Sequence, residues 1–215
     1  MKSGVQMVVD GVTGVGKSSL VKIIAEEFGC IPYSEMFEDE NRLLHKFFHD
    51  REKWAFPMQT NFLTNRFRQY QEAMQGGQAV MDRCIYSDRI FAQMYRTQGY
   101  LKPEEFAVYE NLLNTMMEHC APPQLMIFLK VSTDEAIRRI ARRGRQDEIE
   151  VEREYWDLLN RFYVNHYENN LTGNLLVIEV DQLDYVHRPE DRQFMVSTIG
   201  RALKEQERLQ ARSAS

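Results

Sequence analysis

Cysteine is scarce in this chain, and the three present cannot form a metal site by themselves: Cys30, Cys84 and Cys120 lie far apart with no C-x-x-C pair. That spacing argues against zinc and fits a reducing compartment. The five histidines (His45, His49, His119, His166 and His187) show no ligand spacing either. No apolar run approaches the roughly 20 residues that span a bilayer. The first apolar run, 5–9, starts so near Met1 that no room is left for a signal or transit peptide, and the chain reads as soluble and cytoplasmic. Positive charge is not in excess. A net charge of −5 over 215 residues speaks against a nucleic-acid binder and leaves only a local basic patch open. No internal repeat or linker divides the sequence, so one domain is expected over 1–210, with 211–215 as a flexible tail.

Glycine is concentrated where it has chemical meaning. After the run Val5-Gln6-Met7-Val8-Val9 comes D-G-V-T-G-V-G-K-S-S, residues 10–19. Gly11, four residues, then Gly16-Lys17-Ser18 fits the P-loop pattern, between a strand-like run and a helix-like one. Glycines let successive backbone N–H groups converge on one anion, and the following helix presents its positive end to the same phosphates. Lys17 supplies a point charge for the terminal phosphates, and the Ser18 hydroxyl is placed to ligate magnesium. Gly11, Thr13, Gly14, Val15, Gly16, Lys17, Ser18 and Ser19 are therefore assigned to ATP.

Further strands are expected at 31–34, 78–81, 125–131 and 175–180. Helices are expected at 18–28, 41–48, 51–75, 86–98, 103–119, 133–143, 151–169 and 189–208. Alternation of this kind predicts an α/β protein: a five-stranded parallel sheet covered by helices on both faces, in the P-loop kinase manner. Ser132 or Thr133 is the expected cap of the sixth helix, and Pro57 should kink the third or mark a restart. The third helix is rich in aromatics (Trp54, Phe56, Phe62, Phe67, Tyr70), which either pack on the sheet or enclose a flat organic acceptor.

Ligands of open parallel sheets bind beyond the carboxyl ends of the strands. Glu35 follows the second strand, where it is either a base for an acceptor hydroxyl or one more carboxylate before Glu38, Asp39 and Glu40. Asp82-Arg83 closes the third, as a metal-shell acid and a phosphoryl-neutralising cation or as a strand-end salt bridge. Gln59 and Arg66 are two helical turns apart and can share a face. Arg139, Arg143 and Arg145, in R-x-x-x-R-G-R, suit a lid over triphosphate, though a plain basic helix face has the same pattern.

Five blocks in order, G-V-T-G-V-G-K-S-S, Y-S-E, W-A-F-P-M-Q-T…R, M-D-R-C-I-Y-S-D and R-R-I-A-R-R-G-R-Q-D-E, spanning 8–148, resemble the deoxynucleoside kinases of the deoxycytidine, deoxyguanosine and deoxyadenosine kinase type. The resemblance implies transfer of the ATP γ-phosphate to a deoxynucleoside 5′-hydroxyl, with magnesium, in a homodimer. It implies Glu35 as base, Asp82 near the metal and the 5′-hydroxyl, and Arg83 across the hydroxyl and the transferring phosphoryl group. Lys17 belongs with them at the reacting end. It also implies that Gln59, Arg66 and Asp88 read a purine or cytosine edge, that Trp54 lies along base or sugar, and that Glu148 holds the 3′-oxygen. The stretch 181–185, with Asp184 and Tyr185, resembles the loop bordering the ATP adenine. Two positions depart from the family. Cys84 replaces a common serine, which favours a structural role there. Phe48 replaces a tyrosine that binds the 3′-oxygen, which predicts weaker 3′-hydroxyl recognition and tolerance of dideoxy analogues.

Two other functions share the loop. A thymidylate-type monophosphate kinase would need cations for the acceptor's own phosphate near Glu35, where the sequence places Glu38, Asp39 and Glu40. A nucleotide-binding switch would turn over slowly and independently of any nucleoside.

Overall fold

The structure, a computed structural model, describes residues 4–35, 42–169 and 173–213. Its centre is a five-stranded sheet in the order β2-β3-β1-β4-β5, every neighbouring pair parallel. The strands are β1 (Gly4–Asp10), β2 (Ile31–Tyr33), β3 (Gln78–Asp82), β4 (Leu125–Lys130) and β5 (Leu175–Glu179). Met7, Val8, Val9, Val80, Met81, Ile127 and Phe128 are fully buried, as expected for inner strands with helices on both faces. Edge strands are less apolar in effect: Ile31 and Val177 are exposed.

Each connection is helical: α1 (Lys17–Phe28), α2 (Leu43–His49), α3 (Arg51–Gly76), α4 (Asp88–Thr97), α5 (Pro103–Met117), α6 (Thr133–Arg143), α7 (Gln146–Ile149), α8 (Arg153–Asn169) and α9 (Pro189–Ser213). Local chemistry sets the ends. Asp50 caps α3 by accepting the Lys53 N–H at 3.2 Å, and Ser132, rather than Thr133, caps α6 by accepting from Glu135. Gly77, with φ 118°, stops α3 and starts β3.

Three expectations need correction, and one short helix was not foreseen. The helix α3 is unbroken across Pro57, so the proline marks no restart, although the ring removes the donor that would meet the Lys53 carbonyl. Residues 85–87 form a 3-10 turn before α4, so that helix begins at Asp88 and not at 86. A short α7 occupies 146–149, directly after the arginine array. The last helix continues through Ser213, three residues into the stretch expected as a tail, because Gln210, Ala211 and Arg212 are good helix formers. Glu38, Asp39 and Glu40 lie outside the described residues.

Sheet register fixes the site. Val9 pairs with Asp82 and Tyr33 with Met81, so Asp10, Glu35, Asp82 and Arg83 all emerge at one edge of the sheet. No helix among the described residues is long and apolar enough to cross a membrane.

Candidate active site

A cavity of about 480 Å³ opens above this edge, lined by the loop after β1, by α3, by the end of β3 and by the arginines after β4. That volume falls in the ordinary range for small-molecule sites. Thr13, Gly14, Gly16, Lys17, Ser18 and Ser19 line one end of it. Gly11 and Val15, in the same loop, are buried and do not line it. At Gly11 (φ 145°) a Cβ would stand 2.6 Å from the Leu129 carbonyl oxygen, so only glycine lets the loop lie this close to β4.

Lys17 is buried and donates Nζ to the Gly11 carbonyl at 3.0 Å and the Val12 carbonyl at 3.1 Å. Burial, then the neighbouring Arg83 charge, brings its ammonium down to about 8 against the opposite pull of Asp82, Glu35 and Asp10. The Lys17 charge is present below about pH 8 and is lost as pH rises through that value. Bound phosphates favour the charged form. MgATP affinity should therefore fall by up to about tenfold per pH unit above pH 8, with proton uptake on binding. Calorimetry in buffers of different ionisation heat, between about pH 7 and pH 9, checks both.

The magnesium assignment passes a test of chemistry. Ser18 Oγ donates to Asp82 Oδ2, while Asp82 Oδ1 is buried and has no hydrogen-bond partner. A hydroxyl beside a carboxylate with an idle oxygen is a hard-donor pair suited to a small divalent cation that keeps most of its other ligands as water and phosphate.

Glu35 is the hub of the opposite wall. Its Oε1 accepts from Arg83 Nη1 at 2.8 Å and from Arg66 Nη2 at 2.9 Å. Burial would raise this carboxyl, but Arg83, Arg66 and Lys17 outweigh it and hold the group at about 2. Arg83 is anchored in turn: its Nη2 donates to the Gly11 carbonyl at 3.2 Å, and Nε lies 3.5 Å from Asp10 Oδ1. The backbone at Arg83 has φ 63°, an uncommon value for a non-glycine, and its N–H bonds the Val9 carbonyl at 2.9 Å. The guanidinium is also flanked by the rings of Phe91 and Tyr163. Cys84 is fully buried, and its carbonyl accepts from Ser87, which agrees with the structural role expected of it.

Arg66 carries two carboxylates at once, Glu35 and the buried Asp88 beneath it. It therefore ties Asp88, at the start of α4, to Glu35 after β2. Gln59, two turns earlier on the same face of α3, is buried and lines the cavity, with Oε1 unpaired. Such an atom awaits a donor. Pro57 has not turned Gln59 away. Phe48 lines the cavity too, whereas Trp54 does not: Lys46 and Lys53 cover its ring at 4.7 and 5.4 Å. Of the aromatics of α3, Phe62 faces the cavity and Tyr70 is core, its hydroxyl bonding the Ala121 carbonyl.

The arginine array divides. Arg139 lines the cavity, but its Nε goes to Glu135 and its Nη1 and Nη2 to the Val15 and Val180 carbonyls, which pins the phosphate loop to the end of β5. Arg143 and Arg145 both pair with Glu148. The expected phosphate cations and the expected 3′-oxygen acid thus meet in one cluster. Asp184 is half-buried and holds His187, while the buried Tyr185 donates to the Val15 carbonyl from below the loop. Neither lines the cavity.

The motifs missed several members. Asp10, fully buried, accepts from the Gly11 N–H at 2.7 Å and from the Tyr167 hydroxyl at 2.6 Å. A charge closing an otherwise apolar strand was its visible signal. Phe91, Tyr95, Tyr155 and Trp156 also line the cavity, and helical packing patterns alone do not distinguish them from core.

Comparison with known proteins agrees with this geometry. The family model for deoxynucleoside kinase matches residues 7–204. A deoxyguanosine kinase of Lactobacillus johnsonii is 35% identical over 208 residues, covering 93% of this chain and 92% of the relative. A deoxyadenosine/deoxycytidine kinase of Bacillus subtilis is 30% identical, covering 93% and 94%. Among solved structures, deoxyadenosine kinase from M. mycoides with bound dATP superposes with a TM-score of 0.79 at 26% identity, over 91% of this chain and 98% of that one.

Proposed function

The chain belongs to the deoxynucleoside kinase family, and from that premise we propose that it transfers the γ-phosphate of MgATP to the 5′-hydroxyl of a deoxynucleoside in nucleotide salvage. Deoxyadenosine or deoxyguanosine is the preferred acceptor, with deoxycytidine as an additional one. The observation that carries the reading is Glu35 set at the strand ends between two guanidiniums, in the same cavity as the phosphate loop.

The division of labour is as follows. The loop N–H groups and Lys17 hold the triphosphate, and Ser18 and Asp82 would hold magnesium, which would neutralise charge on the phosphate oxygens. Glu35 accepts the hydrogen bond of the 5′-hydroxyl and takes its proton as the phosphoryl group leaves ADP. Arg83, already beside Glu35, stands where the transferring group must pass, and offsets its charge. A carboxylate held near 2 is a weak base. In a loose transition state the hydroxyl gives up its proton late, so orienting that hydroxyl matters more than basicity. Gln59 offers donor and acceptor to a purine edge, while Arg66 and Asp88 form the paired wall beside it. Arg143 and Arg145 close on the phosphates when they leave Glu148.

A monophosphate acceptor is disfavoured on its electrostatics. Arg66 and Arg83 near Glu35 are matched by Glu35, Asp88 and Asp10, so that end offers more carboxylate than guanidinium to a second phosphate. The homodimer is carried over with the family, and the cytoplasmic location from the reading of the sequence.

Incubation with MgATP and deoxyadenosine or deoxyguanosine should yield ADP and the nucleoside 5′-monophosphate in equal amounts, identified by mass and phosphorus resonance. ADP without the monophosphate would mean hydrolysis and would refute the transfer.

A further inference from the structure

A pair of hydroxyls in the cavity wall near Phe48 has no role in the scheme above. Tyr95 of α4 and Tyr155 of α8 both line the cavity, both are buried, and their Oη atoms lie 2.7 Å apart. Phe48 packs edge-on against Tyr155, ring centroids 6.2 Å apart, and offers no polar atom. Two hydroxyls bonded to each other keep one O–H and several lone pairs in reserve, enough to donate to and accept from a third hydroxyl. Burial pushes Tyr155 up to about 12, partly offset by its bond to Tyr95, and pushes Tyr95 higher, so both keep their protons.

Tyr155 is also held in place. The Arg51 guanidinium lies 5.5 Å from its ring centre, and Arg51 is itself fixed by a two-pronged pair with Glu152, its Nη2 at 2.8 Å from Oε2. A rigid ring in the cavity wall with a polar tip suits recognition of one hydroxyl in a fixed position.

We propose that Tyr155, positioned by Tyr95, is a binding residue for the 3′-hydroxyl of the deoxynucleoside, and supplies beside Phe48 the hydroxyl that phenylalanine lacks. This rests on the kinase reading. It replaces the looser 3′-hydroxyl recognition that Phe48 predicts: discrimination against 3′-deoxy substrates is retained through a different side chain.

The test compares the best natural deoxynucleoside with its 3′-deoxy analogue in the wild type, Tyr155→Phe, Tyr95→Phe and the double variant Phe48→Tyr/Tyr155→Phe. The wild type should favour the parent by at least about tenfold in kcat/KM, the worth of one good hydrogen bond. Tyr155→Phe should lose about tenfold with the parent and little with the analogue, through KM for the nucleoside and not for MgATP. Tyr95→Phe should lose less, and Phe48→Tyr should recover part of the loss. Equal loss of both substrates in Tyr155→Phe, which is what a packing role gives, would overturn the proposal, as would no loss with either. Absence of nucleoside-dependent ADP formation in the wild type would overturn the kinase reading itself, before any variant is compared.

Discussion

Replacing Glu35 by glutamine should lower kcat by about 10²- to 10⁴-fold while MgATP affinity changes by less than about twofold. The amide keeps the shape and one acceptor oxygen for Arg66 and Arg83, but can neither take a proton nor draw the 5′-hydroxyl with a full charge. Arg66 keeps Asp88, and Arg83 keeps Asp10 and the Gly11 carbonyl, so the two guanidiniums are not left bare. The phosphate loop is untouched. Pre-steady-state measurement of the transfer step, with nucleotide affinity measured separately, checks this. Equal loss of kcat and of MgATP affinity would mean that Glu35 organises the site and does not act on the hydroxyl. The acid side of the pH profile gives a second check. With Glu35 held at about 2, its ionised form persists until pH falls toward that value, so kcat/KM should stay flat from about pH 7 to pH 5. A limb in that interval assigned to Glu35 would contradict the ion-pair geometry.

Replacing Arg83 by glutamine should be costly twice. The side chain is buried between Asp10, Glu35 and a carbonyl of the phosphate loop. Removing one member of a buried ion cluster leaves uncompensated charge, typically at about 3–5 kcal/mol. Catalysis should fall by about 10²- to 10³-fold beyond any unfolding, the usual cost of one donor aimed at developing charge. Chemical denaturation and kcat/KM measured on the folded fraction separate the two effects. Because Glu35 and Arg83 share a hydrogen bond, losses in the Glu35→Gln/Arg83→Gln double variant should be far from additive. Additivity would show that the two side chains work independently.

Much of this was legible in the sequence because it is local. The phosphate loop declares itself through Gly11, Gly16, Lys17 and Ser18 at fixed offsets after an apolar run, and the sheet order then puts Glu35 and Asp82-Arg83 at the same edge. Gln59 and Arg66 share a helix face for the same reason. What stayed hidden depends on contacts between distant segments. Trp54 and Phe62 look alike in sequence, yet only Phe62 faces the cavity. Arg139 reads as part of a lid until the Val15 and Val180 carbonyls are found within reach of its guanidinium. The bond between Tyr95 and Tyr155 joins α4 to α8, and no spacing rule relates two tyrosines on separate helices. At Pro57 the local rule left a kink or a restart open, and the structure excludes the restart: α3 runs through it.

The most direct measurement is ADP formation from MgATP with each of the four natural deoxynucleosides, beside thymidylate and deoxyadenylate. Strong stimulation by deoxyadenosine or deoxyguanosine, and little by either monophosphate, is the result expected if the cluster around Glu35 receives an uncharged purine nucleoside. Stimulation only by the monophosphates, or by none of the six, would contradict it.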